Sequence, residues 1–172
     1  MTHYQVLDKL LREHFGNKEV VGIEIGTGTG IATRTIIDAL PNCKLYGIDP
    51  YEHRDGAEFE AGNPQEAHDR TKEEAQKRLQ HYIDAGKLVW LPMRSSLAIE
   101  LVPKEVDFVW IDGDHSAEGI TTDLNLYEPL VKVGGILGGH DFLQVHPLTE
   151  IIMKRFDDDL NSGNNYTWWI FK

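Results

Sequence analysis

The segment Glu24-Ile25-Gly26-Thr27-Gly28-Thr29-Gly30 alternates glycine with other residues behind a carboxylate. Glycine accepts left-handed backbone and carries no Cβ, so such a run turns tightly and lets the main chain approach a ligand. The spacing is G-x-G-x-G. A dinucleotide-binding turn reads G-x-G-x-x-G, and Ile31-Ala32-Thr33 does not complete that pattern. Two further runs, Asp112-Gly113-Asp114-His115 and His140-Asp141, set carboxylates beside imidazoles. These are residue types that move protons near neutral pH. Asp49 precedes Pro50, where an aspartate taken alone is an ordinary turn residue.

The elements that must position these residues alternate in type. Residues 3–15 place Val6, Leu7, Leu10, Leu11 and Phe15 at helical spacing. Val20–Ile25 is a short β-branched run, read as a buried parallel strand that breaks at the glycines. A helix from Ile31 to Leu40, a strand over 44–48 ending at Asp49, and a long helix to about Ala85 follow. Strands are expected at 87–92, 106–111, 136–139 and 167–171, and further helices at 117–130 and 147–160. Residues 97–101 form at most a short helix. The polar segment 51–63, with Gly56 and Gly62, reads as a lid loop. Alternating strands and helices imply an α/β, doubly wound, mostly parallel sheet with helices on both faces. Ligands of such sheets bind beyond the carboxyl ends of the strands. Gly26–Gly30, Asp49, Ser95-Ser96, Asp112–His115 and His140-Asp141 all follow an expected strand, so they converge on one edge.

The chain has 172 residues, with 17 Lys+Arg against 28 Asp+Glu and a formal net charge of −11. That length suits one domain over 1–172. No run approaches the ~18–20 apolar residues of a membrane span, and Met1–Gln5 has neither region of a signal peptide. The acidic balance argues against a nucleic-acid backbone or an anionic membrane surface as partner. Cys43 is the only cysteine, so no intrachain disulfide forms and a reduced cytoplasmic setting fits.

The glycine loop with Glu24, and Asp49 at the next strand end, resemble the class I S-adenosylmethionine-dependent methyltransferases. The run Val106–Ser116, continuing through Asp123-Leu124 and Gly134-Gly135 to Gly139-His140-Asp141-Phe142, is similar to a narrower group. That group holds the small-molecule O-methyltransferases that include macrolide-sugar methyltransferases and cephalosporin-hydroxylase-like proteins.

The resemblance implies a Rossmann-like methyltransferase fold and S-adenosyl-L-methionine as cofactor. It implies cofactor contacts from Glu24, Gly26, Thr27, Gly28, Gly30, Asp49, Ser95, Ser96 and Asp112, with the Asp49 carboxylate on the ribose hydroxyls. Ser95 stands where relatives carry an aspartate. In metal-using members the positions of Asp112, His140 and Asp141 hold a divalent ion such as magnesium or manganese. The position of His115 is the general base, with Asp112 beside it. His140 stands where such relatives often have a carboxylate.

The chemistry agrees with that assignment. A sugar or catechol hydroxyl is a poor nucleophile at neutral pH, and a bound ion lowers its pKa while a histidine takes the proton. The expected partner is a small hydroxylated acceptor, and a homo-oligomeric assembly is compatible with the sequence. Two other readings stand beside it: a cofactor-binding protein without catalysis, acting as a sensor or assembly component, and a nicotinamide-dependent oxidoreductase, disfavoured by the glycine spacing.

Overall fold

A computed structural model describes residues 1–52, 65–163 and 166–172. The lid segment expected over 51–63 lies outside them beyond Tyr51 and Glu52. Seven strands form one sheet in the order β3-β2-β1-β4-β5-β7-β6. They are β1 (Val20–Ile25), β2 (Cys43–Ile48), β3 (Leu88–Leu91), β4 (Val106–Ile111), β5 (Val131–Gly139), β6 (Asn161–Gly163) and β7 (Thr167–Phe171). β1 to β5 pair in parallel, and β7 runs antiparallel to β5 and β6. Strand order reverses between β1 and β4, which opens a crevice at their carboxyl ends.

Helices cover both faces. α1 (His3–Phe15), α2 (Ile31–Ala39) and α3 (Gln65–Asp84) pack Leu7, Leu11, Ile36, Ile37, Ala75 and Leu79 against one face. α5 (Ala117–Tyr127) and α6 (His146–Phe156) pack Ile120, Leu124, Leu148 and Ile152 against the other, with Ala98 from the short α4 (Ser95–Ala98). Parallel strands are buried on both sides, and β4 shows it. Val109 and Ile111 enter the second core, while Phe108 and Trp110 enter the first. Trp168 and Trp169 separate in the same way. Trp168 is fully buried against Phe156, and Trp169 packs on the opposite face.

Two elements differ from expectation, and a third decides whether 143–165 holds a short strand or the sheet has lost one. The fifth strand begins at Val131, which pairs with Val106 before the register shifts to Phe108↔Ile136. The sixth helix ends at Phe156, and Asp157–Asp159 form a 3-10 turn. Asp157 adopts φ 33°, so the charged run closes the helix. Residues 161–163 form a short strand whose composition, Asn-Ser-Gly, has no β-propensity to announce it. Its pairing with β7 supplies it.

Candidate active site

Strand ends and their backbone bonds build the site. Gly26 N–H donates to the Ile48 carbonyl at 2.8 Å and Asp112 N–H to the Ile25 carbonyl at 2.7 Å, tying β1 to β2 and β4. Gly26 has φ 93°, and a Cβ there would lie 1.9 Å from the Asp112 carbonyl oxygen, so no larger residue fits. The loop passes into α2 through Gly30, itself left-handed at φ 81°. α3 closes it from above: the Arg78 guanidinium donates to the Thr29 carbonyl.

A cleft of about 450 Å³ opens on this edge. Gly26, Gly28, Asp49, Ser95, Ser96 and Asp112 line it. Asp49 uses both carboxylate oxygens, accepting from Gly28 N–H at 2.8 Å and from Tyr51 N–H at 2.9 Å.

Glu24, Thr27 and Gly30 stand behind the lining. Glu24 is fully buried and accepts from the Thr33 hydroxyl at 2.5 Å, joining β1 to α2. Burial pushes its carboxyl up to about 8. Thr27 is buried, and Gly30 lies under Leu79. These three shape the loop from within.

Asp123 is a cleft residue that the sequence reading did not assign to the site. It is 2% exposed on the inner side of α5, and the Ser95 hydroxyl donates to its Oδ1 at 2.5 Å. Burial, with Asp114 adding to it, pushes this carboxyl up to about 6. The Tyr127 hydroxyl donates to the Ser95 carbonyl at 2.7 Å, completing the wall. A sign was available in the sequence: Asp123 interrupts the apolar stripe Ile120-Leu124-Tyr127, where a charge needs a reason. His68 and Thr71 from α3 also reach the cleft. Asp49, Glu52, Asp112, Asp114, Glu118 and Asp123 make its lining acidic, against Arg94 and His68. Such a field suits a cationic ligand such as a sulfonium.

At one end the cleft meets a second cluster. The register Ile111↔Gly139 sets the residues after β4 and β5 side by side. His115 Nε2 lies 2.8 Å from Asp141 Oδ2 and 4.0 Å from Asp112 Oδ1. His140 Nδ1 lies 3.1 Å from Asp141 Oδ1 and 3.7 Å from Asp112 Oδ1. Asp141 reaches this position through a left-handed backbone, φ 61°. The Asp112 and Asp141 carboxylates push His115 up to about 10 against the opposing effect of burial. Burial would raise Asp141, but His115 and His140 hold it well below the usual carboxylate range. Ser116 caps α5, accepting from Gly119 N–H at 3.0 Å, and so fixes where His115 stands.

The cluster fits a divalent ion. Donors at ~2.1 Å from one ion stand about 3.0 Å apart at right angles and about 4.2 Å apart when opposed. His140 Nδ1 stands 3.7 Å from the Asp112 oxygen and 3.1 Å from the Asp141 oxygen, both within that range. One atom each of Asp112, His115 and Asp141 lies within 4.8 Å of the others, with His140 on the flank.

A family model of a methyltransferase domain matches residues 23–142, which include the glycine loop and both strand-end clusters. The chain belongs to this methyltransferase family. Its fold is that of the solved O-methyltransferase NovP, with TM-score 0.74 at 18% identity over 98% of this chain and 78% of that one. The O-methyltransferase TomG from Streptomyces achromogenes, solved with S-adenosylmethionine, gives 0.64 at 17% over 98% and 79%. The calicheamicin methyltransferase CalS11 gives 0.70 at 13% over 98% and 77%. No curated protein sequence matches. The domain is an S-adenosylmethionine-dependent methyltransferase, as the glycine loop implies. The family match sets the oxidoreductase reading aside. Among the described residues no helix is long and apolar enough to cross a membrane.

Proposed function

We propose that this domain transfers a methyl group to a hydroxyl of a small polyhydroxylated or sugar-containing molecule. The observation that carries this reading is the double position of Asp112. It lines the cofactor cleft and also flanks His115 and His140, so the methyl donor and the proton-handling cluster share a wall. Solved relatives of the same fold described as O-methyltransferases, TomG among them for tomaymycin synthesis, support a small-molecule acceptor. The net charge of −11 and the acidic cleft speak against nucleic acid or an anionic membrane as partner. The buried Cys43 suits a reduced cytoplasmic setting.

In this reading Asp49 holds the ribose, and the sulfonium lies along Gly26 and Gly28 toward Asp112. The sulfonium is already electrophilic, so holding the hydroxyl in line behind its methyl carbon supplies much of the acceleration. The oxygen forms its bond to carbon as the carbon–sulfur bond breaks, leaving neutral S-adenosylhomocysteine. His115 takes the hydroxyl proton, and the flanking carboxylates favour the imidazolium so formed. The same carboxylates raise the imidazole's pKa, and an acceptor or ion engaging them would lower it again. Asp112, Asp141 and His140 would hold a divalent ion, whose chemistry is to lower the pKa of a bound hydroxyl.

Label transfer from S-adenosylmethionine to a panel of sugars, glycosides and catechols, with and without chelator, tests the reading. Methyl ethers on hydroxyl oxygen support it. Transfer confined to nitrogen, sulfur or carbon acceptors overturns it, and activity indifferent to chelator overturns its metal half alone.

A further inference from the structure

His3, the first residue of α1, packs its ring 4.2 Å from that of His140, tilted by 41°. It also packs at 3.8 Å against Tyr4. Nothing in the core asks for an imidazole there. α1 is anchored by Leu7, Leu11 and Phe15, all buried. Its first turn is fixed by a capping box: Thr2 Oγ1 accepts from Gln5 N–H, and Gln5 Oε1 accepts from Thr2 N–H at 2.8 Å. Backbone bonds therefore hold His3 in place without help from its own ring. The ring is half-buried and makes no hydrogen bond among the described residues.

We propose that His3 is a further ligand of the divalent ion assigned to Asp112, Asp141 and His140, and that the His3–His140 pair suits the site to zinc, cobalt, nickel or ferrous ion in place of magnesium. The inference rests on the reading that the strand-end carboxylates hold an ion. Two imidazoles on neighbouring positions of one ion have ligating nitrogens ~3–3.5 Å apart, a spacing that rings packed at 4.2 Å can present. Magnesium prefers oxygen donors and gives up its water reluctantly. Imidazole raises affinity along the first-row series instead. A carboxylate pair alone would serve magnesium. Each imidazole added shifts the preference, and α1 contributes the second from the opposite end of the chain. His115, on the other oxygen of Asp141, stays available for the acceptor's proton.

Calorimetric titration of the whole chain with cobalt(II), zinc and magnesium tests this, together with the proton NMR spectrum of the cobalt(II) form. Coordinated imidazole N–H protons appear there as strongly shifted, exchangeable lines. Cobalt and zinc should bind at least ~100-fold tighter than magnesium. His3→Phe keeps the ring packing and the capping box but removes the donor. It should weaken cobalt binding on the order of 10- to 100-fold and delete one shifted line, with S-adenosylhomocysteine affinity unchanged. If His3→Phe matches the unmodified chain while Asp112→Asn abolishes binding, the inference fails and the ion site stands. Magnesium binding as tight as cobalt also overturns it. Absence of binding by any of the three ions overturns the ion site and the inference together, leaving methyl transfer to be judged by the label assay.

Discussion

The Asp49 carboxylate, one residue beyond β2, accepts from the Gly28 backbone N–H at 2.8 Å. Two neighbouring strand ends are thereby locked together, and the carboxylate is oriented before any ligand arrives. Asp49→Asn keeps the shape and one acceptor but loses the charge. With two charge-assisted bonds to the ribose weakened, S-adenosylhomocysteine should bind with roughly 2–4 kcal/mol less free energy, about 30- to 700-fold in Kd. Calorimetry on the folded variant checks this, and unchanged affinity would remove Asp49 from the cofactor site.

Gly26 and Asp112 meet through the backbone. A Cβ on Gly26 would press on the Asp112 carbonyl at 1.9 Å from a φ of 93°. Strain and overpacking together should cost Gly26→Ala roughly 2–6 kcal/mol, a large part of a typical domain's stability. Gly28→Ala meets nothing within 4 Å and bears only the φ 51° penalty, about 1 kcal/mol. Urea denaturation of both variants should show that order. Equal losses would mean that the loop relaxes around Gly26.

His115 is held by Asp141 on one side and Asp112 on the other. As the base it contributes on the order of 10²–10⁴-fold, so His115→Ala should lower kcat by that factor with cofactor affinity nearly unchanged. Full turnover of the variant on a true acceptor would return His115 to the role of a loop residue before the Ser116 cap.

Much of this was legible because periodicity and strand-end chemistry are local. Val20–Ile25 could hardly be anything but a buried strand, and the glycines after it announce a ligand loop. The hidden strand Asn161–Gly163 was not legible, because its pairing with β7 comes from tertiary structure and not from its own residues. His3 was invisible for a related reason. A helix's first residue carries no periodic signal, and only the packing of α1 along the sheet brings it to His140. Asp123 lay between. Its charge on an apolar stripe was visible, but its partner Ser95, 28 residues away, was not. Ser95 had been singled out for the aspartate it lacks, and the structure brings a carboxylate to it from α5.

Asp123 also gives the chain a pH signature. Its pKa rises from an ordinary 3.8 to about 6 in the folded chain, through burial and the nearby Asp114, against the opposing Ser95 bond. A raised acid binds its proton more tightly when folded. Its contribution to stability is therefore fully present below pH ~4 and is lost as pH climbs toward 6. The loss is on the order of 1–3 kcal/mol. Asp123→Asn still accepts from Ser95 and never ionises. The variant should match the unmodified chain at pH 4 and exceed it at pH 7, where the buried carboxylate carries its charge with no ion-pair partner among the described residues. Other titrating groups cancel in the difference, since both proteins share them. Urea denaturation of the pair at the two pH values measures it. A difference that is the same at pH 4 and pH 7 would show that Asp123 ionises as freely in the fold as outside it, and that the cleft wall at Ser95 does not desolvate it.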